Sequence, residues 1–380
     1  MSLTRTYLDH NATAPLRPEA RAAMLDALDV VGNPSSVHAE GRKARAIVEE
    51  ARERVADLVG VAPSQVVFTS GATESNCAVL RARWGAILVS GIEHDSVLAP
   101  ARASGCDVIE VATDASGAVR VDAIAAALDK ASERNGAPAL LAVQVANNET
   151  GVIQPVAAAA ALARERGGFV VHTDAVQAVG RIPLMFDELG VDTLSLSAHK
   201  LGGPKGGGAL ILKHDFDIAP LVMGGGQERR RRAGTENVIG IAGFGAAASA
   251  AKRDLADMAR LAELRDRLER EALELAPGAR VIGAEAPRLP NTTCLALPGM
   301  AAETLVIRFD LAGIAISAGA ACSSGKVGAS TVLAAMGLPD DLARSAIRVS
   351  LGWTTTERDI DAFLAAWSAI AGGQQHRAVA

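Results

Sequence analysis

The sequence predicts an α/β fold in which helices cover a mainly parallel sheet. Short apolar runs of the length that forms buried strands recur through the first two thirds of the 380 residues, and helical segments separate several of them. Strands that are buried on both faces read as continuous Val, Ile and Leu runs, which is typical of parallel sheets. A chain of this length is too long for one small core, so we expect a large domain and a smaller one.

Periodicity places the elements of the large domain in order. Apolar residues recur at helical spacing in residues 42–59, and Gly60 ends that helix. The same spacing predicts helices at residues 121–134 and 155–166. Seven apolar runs predict the strands of one seven-stranded sheet, at residues 65–69, 86–90, 107–111, 139–146, 169–173, 192–197 and 208–212.

The last third of the chain predicts a second unit of mixed helices and strands. Residues 254–275 form a long, charged amphipathic helix, which we interpret as the connector into that unit. We expect the first dozen residues to pack against the unit and the tail 372–380 to fray. The predicted domains are residues 15–255 and, for the small α+β domain, residues 1–14 with 256–380. The strands predicted for this second unit are residues 279–282, 292–297, 314–317 and 346–351.

Composition excludes several classes of protein. Hydrophobic residues make up 49% and charged residues 21% of the chain, which is an ordinary globular balance. The net charge of −5 does not indicate a nucleic-acid-binding surface. No apolar run reaches the ~18 residues that span a bilayer, and the first residues have no signal-peptide pattern, so we expect a cytoplasmic protein. The four cysteines have neither metal-binding nor disulfide spacing, so we expect no metal site.

Polar clusters follow five of the predicted strands at their carboxyl ends. In open α/β sheets, ligands bind at that edge. One cluster opens a helix, whose first N–H groups suit an anion, and another brings Lys200 to a glycine-rich turn. The five clusters are residues 68–76, 93–96, 147–151, 174–177 and 197–200.

Each cluster also has an ordinary structural interpretation. Lys200 by itself would be a surface lysine on a glycine-rich loop, and residues 68–76 would be a capped helix. His94 by itself would be a structural histidine. Because five clusters converge on one edge of one sheet, we favour a binding site over these separate interpretations.

The residue types at this edge suit pyridoxal 5′-phosphate. Its phosphate requires a helix N-terminus with hydroxyl groups, and its aldehyde requires a lysine such as Lys200, which forms a Schiff base with it. Its ring nitrogen requires a carboxylate that keeps it protonated, and Asp174 supplies one. The sequence therefore predicts this cofactor at the edge of the sheet.

Seven motifs occur in order along the chain. They are Tyr-Leu-Asp-His-Asn-Ala-Thr-Ala-Pro (7–15), Gly-Asn-Pro-Ser-Ser (32–36), Gly-Ala-Thr-Glu (71–74), Asn-Asn-Glu-Thr-Gly (147–151), Asp-Ala-Val-Gln (174–177), Ser-Ala-His-Lys (197–200) and Arg-Ala-Gly-Thr-Glu-Asn (232–237). With these motifs and their spacing the sequence resembles the cysteine desulfurases of the NifS/IscS type. The resemblance implies the class V aminotransferase-like family and the pyridoxal-phosphate-dependent transferase fold type I.

The resemblance implies that the enzyme is a homodimer and which residues hold the cofactor. Lys200 would be bonded to the cofactor, His94 would stack on its ring and act in proton transfer, and Asp174 would pair with the ring nitrogen. The other residues implied in cofactor binding are Ala72, Thr73, Asn148, Gln177, Ser197 and His199, together with Thr235 of the partner subunit.

The resemblance also implies how the substrate reacts. Asn148 and Arg348 would bind the carboxylate of L-cysteine. Cys322 would attack the substrate sulfur and pass the resulting persulfide to a sulfur acceptor or iron–sulfur scaffold protein. Cys322 lies in residues 317–328, a run of small residues with no packing anchor, whereas a structural cysteine prefers a buried apolar setting. This setting favours Cys322 over the other three cysteines as the nucleophile.

Two other functions fit parts of the pattern. One is a selenocysteine lyase or another class V aminotransferase-like enzyme, although an aminotransferase has no need of Cys322. The other is an inactive scaffold that binds assembly proteins, but intact Lys200, Asp174 and His94 argue against it. We therefore expect a cysteine desulfurase that supplies sulfur for iron–sulfur clusters or other sulfur-containing cofactors.

Overall fold

The computed structural model describes residues 5–133, 138–319 and 330–378, with side chains as far as residue 372. The strands are β1 Thr6–Tyr7, β2 Val66–Thr69, β3 Ala86–Ser90, β4 Asp107–Val111, β5 Ala139–Ala142, β6 Phe169–Asp174, β7 Thr193–Ser197, β8 Gly208–Leu212, β9 Arg280–Ile282, β10 Thr292–Ala296, β11 Ile314–Ala315, β12 Ser317–Ala318 and β13 Ala346–Ser350. The α-helices are α1 Pro18–Leu28, α2 Ala39–Val59, α3 Ala72–Leu80, α4 Asp95–Arg102, α5 Val121–Ser132, α6 Val156–Arg166, α7 Phe186–Leu189, α8 Val238–Arg253, α9 Met258–Leu275, α10 Ala302–Leu311, α11 Thr331–Ala335, α12 Asp340–Ala343 and α13 Glu357–Ala378.

The larger sheet has seven strands in the order β2-β8-β7-β6-β5-β3-β4. The five strands from β7 to β4 pair in parallel, and only β8 runs antiparallel to its neighbours β2 and β7. Every residue of β3, β5, β7 and β8 is buried, as the continuous apolar runs predicted. The predicted α/β fold with a mainly parallel seven-stranded sheet is therefore confirmed.

The strand bounds differ from prediction most at β5. It ends at Ala142, whereas the apolar run predicted a strand to residue 146. The backbone N–H groups of Val143 and Val145 still donate to the carbonyl oxygens of His172 and Asp174, at 3.1 and 2.9 Å. The chain thus continues beside β6 up to the carboxyl edge of the sheet.

The helix bounds follow from local capping. Helix α2 begins at Ala39, three residues before the predicted start, because the ring of His38 accepts a hydrogen bond from the N–H of Gly41. It ends at Gly60 (φ 71°), as predicted, since glycine readily adopts this left-handed conformation. Helix α13 continues to Ala378, so the prediction of a frayed tail from residue 372 was wrong for residues 372–378.

A second core surrounds the smaller sheet, whose order is β12-β13-β10-β9. Phe309, Phe363 and Trp367 are fully buried in it and stack on one another. Burying each ring stabilises the fold by roughly 1.5–3 kcal/mol. Leu8 belongs to the same core, and β1 pairs in parallel with β11, so the N-terminal residues do pack against the C-terminal ones. The domain boundaries themselves stay a prediction that these contacts support.

Candidate active site

A cavity of about 580 Å³ lies at the carboxyl ends of β3, β6 and β7. Its volume is in the range of sites that enclose a cofactor or small molecule. Most of the site residues predicted from the sequence contribute to its walls, namely Ala72, Thr73, His94, Asn148, Asp174, Gln177, Ser197, His199 and Lys200. The structure thus brings the five polar clusters together at one place.

Lys200 reaches the cavity directly from the end of β7. Residues Ala198–Lys200 form a turn of 3₁₀ helix after that strand. The Nζ of Lys200 donates hydrogen bonds to the backbone carbonyls of Asn11 and Ala12. Lys205 also lines the cavity, but it lies on the exposed glycine-rich loop beyond the turn. The amine of Lys200 is therefore the one that the fold holds in place.

Asp174 is the last residue of β6, and its carboxylate is oriented by two donors. Its Oδ1 accepts the N–H of Val176 at 2.9 Å. Its Oδ2 accepts the side-chain amide of Asn76 at 2.9 Å. Since Asp174 also lines the cavity, an oriented negative charge is available to a positively charged ring or amine there.

His94 caps the start of α4 and is half-buried at the cavity wall. Its Nδ1 accepts the backbone N–H of Ser96 at 3.1 Å and lies 2.8 Å from the Ser96 hydroxyl. Both contacts use the same ring nitrogen. The ring is therefore fixed in orientation at the end of the loop that follows β3.

The opposite end of the cavity is suited to an anion. Helix α3 begins there at Ala72, and the first N–H groups of a helix attract negative charge. A Cβ atom on Gly208 would lie 2.6 Å from the Cα of Gly71, so glycine at 208 lets β8 approach this turn. Ser197 pairs with Gly208 and therefore lies at the same end, and His199 also lines the cavity.

His199 is uncharged at neutral pH. Burial, together with the nearby positive charges of Lys200 and Lys205, lowers its pKa to about 4. Its Nδ1 lies 3.2 Å from the hydroxyl of Thr13. The other ring nitrogen can donate a hydrogen bond to an anion in the cavity.

Arg348 and Thr235 lie outside this cavity. Arg348 is 1% exposed, and its guanidinium donates to a carboxylate oxygen of Asp9 at 2.8 Å and to the backbone carbonyl of Asn148 at 3.2 Å. It therefore lies directly behind the cavity wall. Thr235 lines a neighbouring cavity of about 220 Å³, which shares Ser70 and Gly206 with the first.

The described cysteines are poor nucleophiles or lie elsewhere. Cys294 is fully buried, and burial raises the pKa of its thiol. Burial also raises the pKa of Cys77. The thiol of Cys106 donates to the backbone carbonyl of Trp84 at 3.1 Å. Cys322, the nucleophile predicted from the sequence, lies outside the described residues.

Several residues lie within the predicted clusters and motifs, but no role in the site was predicted for them from the sequence. Asn76 and Ser96 connect Asp174 to His94, and the carbonyls of Asn11 and Ala12 hold Lys200. The position of Asn76 had a signal, because it follows Thr73 by three residues and therefore faces the same side of α3. The backbone carbonyls of Asn11 and Ala12 could not be predicted as partners of Lys200 from the sequence, since every residue has a backbone carbonyl.

The part of the chain that the structure describes has neither a metal site nor a membrane-spanning helix. No group of His, Cys, Asp or Glu side chains there has the arrangement of a metal site. Within the same residues, no helix is long and apolar enough to cross a membrane.

Comparisons with known proteins agree with this architecture. The family model for class-V aminotransferases matches residues 6–363. A cysteine desulfurase of Cereibacter sphaeroides is 44% identical over 374 residues, which cover 95% of this chain and 94% of the relative. The match extends over both the large sheet and the smaller one.

Solved structures resemble the chain over almost its whole length. The X-ray structure of a NifS-like protein from Rickettsia africae has a TM-score of 0.89 and 35% identity, and the match covers 96% of this chain and 99% of that one. The structure of SspA in complex with cysteine has a TM-score of 0.77 and 30% identity, and the match covers 91% of this chain and 98% of that one.

Proposed function

The chain belongs to the aminotransferase class-V family and to the cysteine desulfurases within it, and from that premise we propose that it removes sulfur from L-cysteine at the cavity described above. The observation that carries the proposal is the convergence of Lys200, Asp174 and His94 on one cavity next to a helix N-terminus. These groups are those that a cofactor with an aldehyde, a basic ring nitrogen and a phosphate requires.

The donor set of the cavity fits pyridoxal 5′-phosphate. Lys200 would hold the aldehyde carbon, and Asp174, with its carboxylate oriented by two donors, would hold the protonated ring nitrogen. The start of α3 with Thr73, together with Ser197 and His199, would hold the phosphate. The remaining contacts proposed for the cofactor come from Ala72, Asn148 and Gln177, and from Thr235 of the partner subunit.

Bound there, this cofactor supplies an electron sink for the charge that is left on the substrate α-carbon when a bond to it breaks. The chain's own residues would hold the substrate so that a bond to its α-carbon can break. Two residues would bind the substrate carboxylate. Asn148 lies at the cavity wall, and Arg348, which lies directly behind that wall, would bind through its planar guanidinium. Lys200 and His94 lie where a proton of the substrate can be moved.

We propose Cys322 as the acceptor of the sulfur. Its thiolate would attack the substrate sulfur, which forms a sulfur–sulfur bond and breaks the carbon–sulfur bond. The electron pair of the broken bond stays with the substrate carbon, and a proton added to that carbon gives alanine. Among the other cysteines, Cys294 is fully buried, and burial raises the pKa of both Cys294 and Cys77, so neither thiol is ready to react.

The proposal extends to the assembly and its surroundings. Two subunits would form the enzyme, because the exposed Thr235 would reach the phosphate end of the site in a second copy of the chain. The persulfide would pass to a sulfur-acceptor or iron–sulfur scaffold protein. The cytoplasm suits this chemistry, because its reducing conditions keep a reactive thiol free.

The variant Cys322→Ser tests this function. We expect it to bind the cofactor and L-cysteine but to release no alanine, because a serine hydroxyl is far less nucleophilic than a thiolate. In the wild-type protein treated with L-cysteine and no reductant, mass spectrometry should find one added sulfur on the peptide that contains Cys322. Cys77→Ser is the matched control, and it should react as the wild type does. Alanine release by Cys322→Ser at the wild-type rate would remove Cys322 from the reaction.

A further inference from the structure

The side-chain amide of Asn76 links Asp174 to His94, because it contacts Asp174 directly and His94 through Ser96. It is fully buried on α3, one helical turn after Thr73. Its Nδ2 donates to Asp174 Oδ2 at 2.9 Å and to Ser96 Oγ at 2.8 Å. Its Oδ1 lies 2.9 Å from the Nε2 of His172. The amide therefore uses both of its N–H donors and its oxygen inside the protein.

The partners of Asn76 fix which way its amide points. An ionised carboxylate only accepts hydrogen bonds, so the NH₂ group must face Asp174 and the oxygen must face His172. His172 then donates from Nε2, and its Nδ1 accepts from the hydroxyl of Thr193 at 2.8 Å. Burial lowers the pKa of His172 to about 4, which agrees with a neutral ring that carries one proton.

Asn76 also contributes to fixing the proton on His94. The backbone N–H of Ser96 makes Nδ1 of His94 an acceptor, and the Ser96 hydroxyl, whose oxygen accepts from Asn76, can therefore only donate to that nitrogen, 2.8 Å away. The backbone N–H of Ser96 donates to that same nitrogen at 3.1 Å. A ring nitrogen that accepts two hydrogen bonds carries no proton of its own. A neutral His94 therefore carries its proton on Nε2.

We propose that Asn76 is a positioning residue, which orients the Asp174 carboxylate and, through Ser96, holds His94 as a neutral hydrogen-bond donor at Nε2. This inference rests on the function proposed above and deepens it. With Nδ1 occupied by two donors, His94 is arranged to donate a hydrogen bond and not to remove the α-carbon proton.

A residue with a purely structural role would affect stability without changing the state of the His94 ring. The two roles are distinguished by NMR of the full-length protein labelled with ¹⁵N-histidine, both with its cofactor and after the cofactor has been removed. Two-bond correlations between ring protons and ring nitrogens report which nitrogen carries the proton. The signals are assigned with His94→Gln and His172→Gln.

We expect the wild-type protein to show both His94 and His172 with the proton on Nε2. In Asn76→Ala, the signals of both rings should shift, and the Nε2-protonated form of His94 should lose population, because only the backbone N–H of Ser96 still holds its Nδ1 as an acceptor. In Ser96→Ala, only His94 should change, and this variant keeps the test open if Asn76→Ala does not fold. Cys77→Ala, the neighbouring half-buried position on α3, is the matched control and should leave both rings as they are.

Kinetics supply the second measurement. In Asn76→Ala, kcat for alanine release should fall by about 10- to 100-fold, the loss usual when the partner that orients an active group is removed, while KM for L-cysteine stays near its wild-type value. A wild-type His94 with its proton on Nδ1, or a His94 ring that is unchanged in both Asn76→Ala and Ser96→Ala, overturns the proposal. Because the NMR result needs no turnover of cysteine, failure of the proposed function would show separately, as a wild-type protein that releases no alanine.

Discussion

At the scale of single residues, the position of each lysine and arginine decides its role. Lys200 is held by two backbone carbonyls at the end of a strand, whereas Lys205 belongs to an exposed loop at the same cavity. Arg348 is buried behind the cavity wall and forms an ion pair with Asp9.

Replacing Lys200 tests the proposed attachment of the cofactor. Lys200→Ala should abolish both the covalent link to the cofactor and alanine release, because no other amine is held at the end of β7 in the described residues. Borohydride reduction followed by peptide mass analysis measures the link. Lys205→Ala should keep the link and most of the activity. A reducible link that persists in Lys200→Ala and disappears in Lys205→Ala would assign the role to Lys205.

Replacing Arg348 tests the proposed carboxylate site. Arg348→Ala should raise KM for L-cysteine far more than it changes cofactor binding, because a carboxylate that loses a buried charged partner loses about 2–5 kcal/mol, or roughly 30-fold and more in affinity. Steady-state kinetics and a cofactor titration measure the two effects. Arg344→Ala changes an exposed arginine four residues away and should leave KM unaltered. An unchanged KM in Arg348→Ala would place the carboxylate elsewhere.

At the scale of elements, a buried ion pair holds a strained segment against the large sheet. Glu228, Arg229 and Arg230 all have left-handed backbone conformations (φ 44°, 56° and 67°), which cost roughly 1–2 kcal/mol per residue. The Glu228 carboxylate accepts two hydrogen bonds from Arg52 on α2, at 2.7 and 2.8 Å, and one from the N–H of Phe68 on β2. These contacts offset the strain.

The held segment leads into the phosphate end of the cavity. Arg232, which follows it, pairs with Glu74 at 2.9 Å, and Glu74 lines the cavity one residue after Thr73. Although burial acts in the opposite direction, the hydrogen bonds from Arg232 and Ser70 lower the pKa of Glu74. The Arg52–Glu228 pair thus links helix α2 to the segment whose Arg232 contacts Glu74 at the cavity wall.

We predict that Glu228→Ala lowers the free energy of unfolding by about 3–5 kcal/mol, because it leaves the buried Arg52 charge without its buried partner. Urea denaturation measures this loss. Glu49 also contacts Arg52, at 3.2 Å, but its side chain is 43% exposed, so Glu49→Ala should cost less than about 1 kcal/mol. Similar losses in both variants would mean that burial does not decide the strength of this pair.

At the scale of the whole molecule, buried titratable groups set how stability depends on pH. Burial lowers the pKa of His10 to about 3 and of His172 and His199 to about 4. Below their usual pKa these histidines bind protons only when the chain is unfolded, so stability falls as the pH drops from about 6.5 to about 4. Burial raises the pKa of Glu93 to about 8 and of Glu149 to about 7, and these carboxyls act in the opposite direction.

The two sets of groups together predict a maximum of stability near pH 6.5 for the cofactor-free protein. Above that pH the histidines no longer contribute, and stability falls because Glu93 and Glu149 lose their protons more readily in the unfolded chain. Urea denaturation at a series of pH values measures the curve. Glu93→Gln should flatten its decline between about pH 6.5 and 8 and steepen the rise on the acid side, because the raised pKa of Glu93 opposes the histidines from about pH 4.5 upward. A wild-type curve that rises through this interval would contradict the assignment.

The sequence by itself determined the fold class and predicted most of the polar residues that line the cavity. Periodicity and apolar runs are local properties, and they predicted the seven strands because buried strands need apolar side chains on both faces. Because ligands bind at the carboxyl ends of such strands, the order of the strands alone predicts that His94, Asp174 and Lys200 lie at one edge of the sheet. These predictions depended only on order along the chain.

Tertiary structure decided the contacts between residues that are far apart in the sequence. The carbonyls that hold Lys200 come from residues 11 and 12, and the partner of Arg348 is Asp9. The amide of Asn76 meets Asp174 across 98 residues. No local pattern encodes such pairs, because hydrogen bonds form only after packing has brought the two groups within about 3 Å of each other in a site shielded from water.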